Sequence, residues 1–494
     1  MATTLRLALL CVAALASPAV AQDVKALEKD LSDNDWDVVE RATAGLLAMD
    51  SLEAGQALAR GLGSERVYTR DWIFESWKTP PSEGTARWIL TQGVADENVR
   101  VRRNLVELLG RWQLPDSAKV LEVLLTRDRD GSVRAEAARS LAALGATDSF
   151  DALARRVRST EWVERIAVLE SMAALDWAAA REEVEKATGD RNAFIHAGAL
   201  TLLGEKDPAA ALPAAIEGAK DSNWQVRAAA MAFLGRSKEK DAVQPLIDRL
   251  GAEAGRLKHD AWVALKRLTG KPIGDTAAMW QGWWDREKET FDLKAVIPLE
   301  EAQPGDGDAG GGSGIDYYGI VIYSNRLAFS LDCSGSMEEP ASGGKTKLDV
   351  AKDELKKALG QFRPAMYFNM VFCPTVIQPW KDRLQPATPA NLSAAFKFID
   401  TRRGTGNEGG NRGNLYDSFV HSMLDPTTDT VFLLSDGVPT AGEYQLASRL
   451  VPHFERANRC ARLEVHCVII GNSSKGKKFM QDLARSTGGQ HVLR

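Results

Sequence analysis

Cysteine is scarce in this chain of 494 residues: there are five, one of them Cys11 near the start. That is too few for a disulfide-built scaffold, and no pair has the CxxC spacing of a zinc site. Histidine is almost as sparse, at six. His196, His259, His421 and His466 show no HExxH or other paired spacing, which leaves packing or surface roles for them. Beyond the first residues no apolar run reaches 18, so no helical membrane span is expected. Neither sign of charge dominates. Lys+Arg is 62 and Asp+Glu is 67, a net charge of −5, so a basic footprint for nucleic acid is missing. Hydrophobic residues make up 44% and charged residues 26%, the balance of a folded globular chain. Tryptophan is lacking in one part only: of 13, Trp380 alone lies beyond Trp284. Two parts of different construction are implied.

What is present begins with an export pattern. Arg6, the apolar run Leu7 to Ala16 and the small-x-small triplet Ala19-Val20-Ala21 read as a signal peptide over residues 1–21. Export to the periplasm, the cell envelope or the medium is therefore expected. Cys333, Cys373, Cys460 and Cys467 then either pair in one of three ways or remain buried thiols on strands.

From residue 22 to 292 short segments recur: ENVRVRRNLVELLG from Glu97, GSVRAEAARSLAALG from Gly131, EWVERIAVLESMAAL from Glu161 and NWQVRAAAMAFLG from Asn223. Their anchoring residues, Val38, Val67, Val99, Val133, Val163, Ile195 and Val226, are separated by 29, 32, 34, 30, 32 and 31 residues. That period accommodates two helices and two turns. Val133, Ala137, Leu141 and Leu144 line one helical face, and Asp, Asn or Ser precede the second helices as caps. One pair cannot bury its stripe alone, so stacked neighbours must share an elongated core. The pattern resembles the HEAT-like repeats of many bacterial proteins. The resemblance implies an all-α solenoid with a curved surface for a second protein partner. Arg100, Arg102, Arg134 and Arg227 recur at the second helices, either as a ligand-facing ridge or as residues pairing with acidic neighbours across the stack. Trp36, Trp162 and Trp224 are expected as packing wedges between repeats. Trp280, Trp283 and Trp284 are expected as an aromatic cap.

Residues 293–317 contain PLEEAQPGDGDAGGGSG and read as a flexible linker. Asp306 and Asp308 sit among its glycines without the 12-residue ligand pattern of a calcium loop. Over 318–494 strands and helices alternate. Strands are predicted at 326–332, 365–372, 430–436 and 463–471, and helices at 348–362, 389–400, 415–424, 443–458 and 477–488. Such alternation implies a doubly wound, Rossmann-like α/β domain with a mostly parallel sheet, whose site lies at the carboxyl ends of its strands.

The first predicted strand ends in Asp332-Cys333-Ser334-Gly335-Ser336-Met337, and a later one in Leu434-Ser435-Asp436-Gly437. Alternating carboxylate and hydroxyls direct hard oxygens to one point, a donor set for Mg²⁺, with Mn²⁺ or Ca²⁺ as alternatives. DxSGSM followed about 100 residues later by LLSDG resembles a von Willebrand factor A domain with its metal-ion-dependent adhesion site. The resemblance implies that Asp332, Ser334, Ser336 and Asp436 hold the metal. It also implies that an acidic side chain of a partner protein completes the coordination, and that the domain binds rather than catalyses. The family's remaining ligand is a threonine before an Asn-x-Tyr-Asp-like run. Here Gly413 stands at that place, before Asn414, and Thr405 is the candidate substitute.

Two catalytic look-alikes fail. Gly344-Lys345-Thr346 lacks the first glycine of a phosphate loop, because Glu339 stands there. Ser342-x-x-Lys345 has none of the companion motifs of a serine acyl-enzyme. The expectation is an exported, non-enzymatic adhesion or scaffold protein with no nucleic-acid partner. The alternatives are a secreted enzyme with its site in the solenoid groove, or an accessory subunit of an ATPase-driven assembly.

Overall fold

The computed structural model describes residues 23–293, 314–404, 412–471 and 474–494. The expected signal peptide, most of the expected linker and Thr405 lie outside the described residues. Antiparallel helices stack from Val24–Asp30 to Ala277–Glu287. In the repeat from Gly131 the carboxylate of Asp130 accepts the Ser132 amide at 2.8 Å and starts the helix Gly131–Ala143. Val133, Ala137 and Leu141 of that helix are buried. Neighbouring repeats approach so closely that a Cβ at Gly110 would stand 2.9 Å from the Cα of Ser140.

Three of the seven anchors are not fully buried: Val38 and Val99 are half-buried, and Val163 departs furthest. Val163 is 39% exposed, and Ile166 packs in its place. The turn before it is organised by the buried Glu164, which accepts Arg134 at 2.8 Å, Arg156 at 2.6 Å and Ser159 at 2.8 Å. Arginine partners across the stack are general. Arg102 pairs with Asp128 at 2.9 Å and Arg227 with Glu253 at 2.5 Å. Arg102, Arg134 and Arg227 are therefore internal struts, whereas Arg100 also reaches out of the array to Glu443. Trp162 stacks on Phe194 of the next repeat at 4.9 Å, as a wedge should. Trp36 stacks on Tyr68 yet stays 45% exposed. Trp224 is not a wedge only: its ring nitrogen donates to the Pro426 carbonyl in the second domain at 2.7 Å. Trp280, Trp283 and Trp284 are buried and close the core.

The second domain begins with a hairpin, β1 (Asp316–Tyr317) and β2 (Ile320–Val321). Ile315 and Tyr317 already belong to its core, so order starts before residue 318. The main strands are β3 (Arg326–Asp332), β4 (Tyr367–Cys373), β7 (Thr430–Ser435), β8 (Glu464–Ile469) and β9 (His491–Leu493), all parallel. β5 (Gln378–Pro379) and β6 (Gln385–Pro386) pair antiparallel with β4. The order is β5-β4-β3-β7-β8-β9. β9 escapes sequence reading because three residues are too few to show a pattern. Along β7, Phe432 and Leu434 enter one apolar cluster while Val431 and Leu433 enter the other, so helices cover both faces. Cys333, Cys373, Cys460 and Cys467 are free and buried, and burial pushes the Cys460 thiol up to about 12.

The two parts are not tethered independently. The α/β domain lies along the array, with contacts from Arg70 to His259. Asp71 accepts the amides of Gln445 at 2.6 Å and Leu446 at 2.9 Å. Arg449 donates to Asn104 at 3.1 Å and Glu107 at 2.9 Å. Arg459 pairs with Glu205 at 2.6 Å, and His259 stacks on Tyr323 at 3.9 Å. Along this line the surface of the array is occupied by the chain's own second domain. The predicted helix from 443 also starts later, at Ala447: residues 443–446 are non-helical, with the Gln445 and Leu446 amides held by Asp71.

A candidate metal-binding site where strand order reverses

β3 and β7 are neighbours, but β4 follows β3 on its other side, so the strand order reverses between them. Their carboxyl ends open a crevice there. Asp332 ends β3 and Asp436 follows β7. After Asp332 the chain turns sharply through Gly335–Glu338, and buried Met337 pins that turn to the core. Asp332 is buried beneath the crevice. Its Oδ1 accepts the Ser334 amide at 2.9 Å and its Oδ2 the Ser435 hydroxyl at 2.6 Å. Burial pushes its carboxyl up to about 6, against the pull of the Ser435 hydrogen bond, and the Asp436 charge adds to the rise.

Three oxygens line the crevice floor. Ser334 Oγ and Ser336 Oγ are 3.0 Å apart, and the Ser336 hydroxyl donates to Asp436 Oδ1 at 2.9 Å. These are hydrogen-bond distances between hydroxyl and carboxylate oxygens, which hold the three groups on one side of the loop. Hydroxyl and carboxylate oxygens are the hard donors that Mg²⁺, Mn²⁺ and Ca²⁺ alike take. A cavity of about 410 Å³ opens above, lined among others by Glu339, Lys347, Gly437 and Thr440.

Sequence reading missed three participants. Lys347 donates to Asp436 Oδ2 at 2.9 Å and to Glu339 at 2.6 Å. Burial works against its ammonium, but the hydrogen bonds to Glu339 and Asp436 outweigh that and raise its pKa. It is the positive charge that balances the two carboxylates, and an entering cation must share Asp436 with it. Its sequence signal was hidden beside the failed phosphate loop, where Lys345 pairs with Asp353 and Thr346 caps the helix Lys347–Leu359. Ser435 was visible in LLSDG, but only the fold turns its hydroxyl onto Asp332. Thr440 had no signal. It accepts the Gly413 amide at 3.0 Å and returns its own amide to the Gly413 carbonyl at 2.8 Å.

Gly413 does lie at the site: a Cβ there would stand 2.9 Å from Asp332 Oδ1. Asn414 next to it caps the helix Leu415–Met423 through the Asp417 amide, which fixes the alignment of this loop. The structure thus brings Asp332, Ser334, Ser336 and Asp436 together, with a glycine where the resemblance calls for threonine.

Comparison with known proteins is consistent with both halves. Residues 89–173 and 182–266 match the model for HEAT repeats, and residues 325–493 match that for the von Willebrand factor type A domain. Inter-alpha-trypsin inhibitor heavy chain H1 of Mesocricetus auratus is 36% identical over 131 residues, 25% of this chain and 14% of the relative. Heavy chain H3 of Rattus norvegicus is 28% identical over 162 residues, 31% of this chain and 18% of the relative. The chain thus spans less than a fifth of the length of these relatives. Among solved structures, a von Willebrand factor type A protein from Catenulispora acidiphila has a TM-score of 0.30 at 17% identity, covering 35% of this chain and 39% of its own. Human deoxyhypusine hydroxylase has a TM-score of 0.24 at 18% identity, covering 50% of this chain and 97% of its own.

Proposed function

We propose that this chain, which joins HEAT repeats to a von Willebrand factor type A domain, is an exported adhesion or scaffold protein of the cell envelope that binds a partner's carboxylate through a divalent metal. The observation that carries this is the convergence of Ser334, Ser336 and Asp436 oxygens over buried Asp332 at the edge of an open cavity. These residues would hold Mg²⁺ or Mn²⁺. The ion supplies a concentrated positive charge for a carboxylate ligand.

The chain's own residues do the rest. Ser435 and the Ser334 amide fix Asp332, and Asp332 in turn orients the loop that carries both serine hydroxyls. Lys347 limits the repulsion between the carboxylates before an ion enters. Export rests on the pattern at Arg6 to Ala21, and among the described residues no helix is long and apolar enough to cross a membrane. An enzyme with its site in the solenoid groove would need clustered polar groups with shifted acidity there. Groups of that kind, Asp71, Glu107, Arg70 and Arg103, are engaged with the A domain.

The test is capture. The protein is immobilised, exposed to the exported proteins of its source with Mg²⁺, washed and eluted with EDTA. Wild type is expected to release specific proteins on EDTA that Asp332→Ala does not retain. Identical elution from the two would refute metal-dependent binding.

A further inference from the structure

The loop that carries Asp436 does not end at the site. It runs through Thr440 and Gly442 to Glu443, and there the array grips it. Glu443 pairs with Arg100 at 3.2 Å and with Arg103. Arg70 donates to the carbonyls of Gly442 at 2.8 Å and Glu443 at 3.1 Å. Beyond Tyr444, Asp71 takes the amides of Gln445 and Leu446. Burial would raise the Glu443 carboxyl, but Arg103 and Arg70 outweigh it and hold it below the ordinary range.

Between the grip and the metal site the contacts are continuous. The Thr440 and Ala441 amides both donate to the Gly413 carbonyl, at 2.8 and 2.9 Å. Gly413 in turn lies against Asp332 with no room for a side chain. The same few residues thus bridge the array, the Asp436 loop and the roof of Asp332.

We infer that the HEAT array positions the metal site, with Glu443 as the positioning residue through which Arg70, Arg100 and Arg103 hold the Asp436 loop in its converged form. This deepens, and rests on, the metal reading above. A loop fixed at both ends has little conformational entropy left to lose when the ion orders it, and a loop released at Glu443 must lose it on binding. Linkage makes the effect reciprocal: the ion must tighten the grip by the factor by which the grip tightens the ion.

The test is calorimetric titration of the full chain with Mn²⁺, with amide hydrogen exchange at Gln445 and Leu446. Glu443→Gln keeps the size and removes the charge; Arg103→Met removes a partner on the array, far from the ion. Both are expected to weaken Mn²⁺ about five- to twentyfold and to speed exchange at the two amides. Arg103→Lys, which keeps the charge, is expected to fall between Arg103→Met and wild type. In wild type Mn²⁺ should slow exchange at the same amides, which a merely structural contact would not show. Affinities within about twofold of wild type in both variants, despite faster exchange, would overturn the inference. Unchanged exchange in both variants would also overturn it, since the grip would then not depend on these charges. A silent titration of wild type is a different result: it overturns the metal reading and takes the inference with it.

Discussion

Arg449→Met lowers the stability of the docked chain by about 3–5 kcal/mol, and splits the thermal unfolding of wild type from one transition into two. Arg449 lies in the helix Ala447–Ala461 of the A domain with its side chain almost wholly buried against the array. It hydrogen-bonds Asn104 and Glu107, lies 3.7 Å from Asp71 and covers the Phe74 ring at 3.5 Å. Burial already pushes the carboxyls of Asp71 and Glu107 upward, and Arg449 is the leading counterweight for both. Methionine fills similar space but takes the leading counter-charge from buried Asp71 and half-buried Glu107, and removing one partner of a buried ion pair is costly. The loss falls on the interface and not on either core, so each half should then melt separately. Differential scanning calorimetry reads this directly. A variant with the single transition and midpoint of wild type would show that the buried charges do not hold the halves together.

Trp280→Ala is expected to cost a similar amount, about 3–5 kcal/mol, with a different signature. Trp280 is fully buried in the helix Ala277–Glu287, meets Trp283 edge-on at 5.7 Å and donates its ring N–H to the Gly274 carbonyl at 2.8 Å. It fills the end of the stack, where among the described residues no further repeat covers the core. Each repeat in a solenoid touches only its neighbours, so a lost cap frays the terminal helices before the rest. Hydrogen exchange should speed up in the helices Gly255–Thr269 and Ala277–Glu287 and remain protected in Val99–Trp112. Uniform acceleration along the array would contradict the cap role.

The contrast between these two sites shows what the sequence reveals. The cap was legible because three tryptophans at helical spacing follow the last repeat. The loop of the candidate site is legible because Asp332, Ser334 and Ser336 alternate at and just after the end of a buried strand and Asp436 follows another. Repeat period and strand alternation likewise placed the architecture correctly. The interface was not legible. Its partners are hundreds of residues apart, as Asp71 and Gln445 are, and each charge in isolation reads as part of a solvated helix face. Glu443 even looks like the start of a helix, and its array partners account for the non-helical path of the chain up to Leu446. Lys347 was overlooked for a related reason: one lysine beside a helix cap has no signature until β7 brings Asp436 to it. Periodic and local signals survive in one dimension, whereas pairings between the two halves are set by how the domains pack.

The central claim, a divalent-metal site in a von Willebrand A domain, is most directly tested by titrating Mn²⁺ into the full chain by calorimetry, beside Asp332→Ala. The account predicts one saturable site in wild type, and its loss in Asp332→Ala with the fold retained by circular dichroism. No binding heat in wild type, or equal heats in the two proteins, would contradict it.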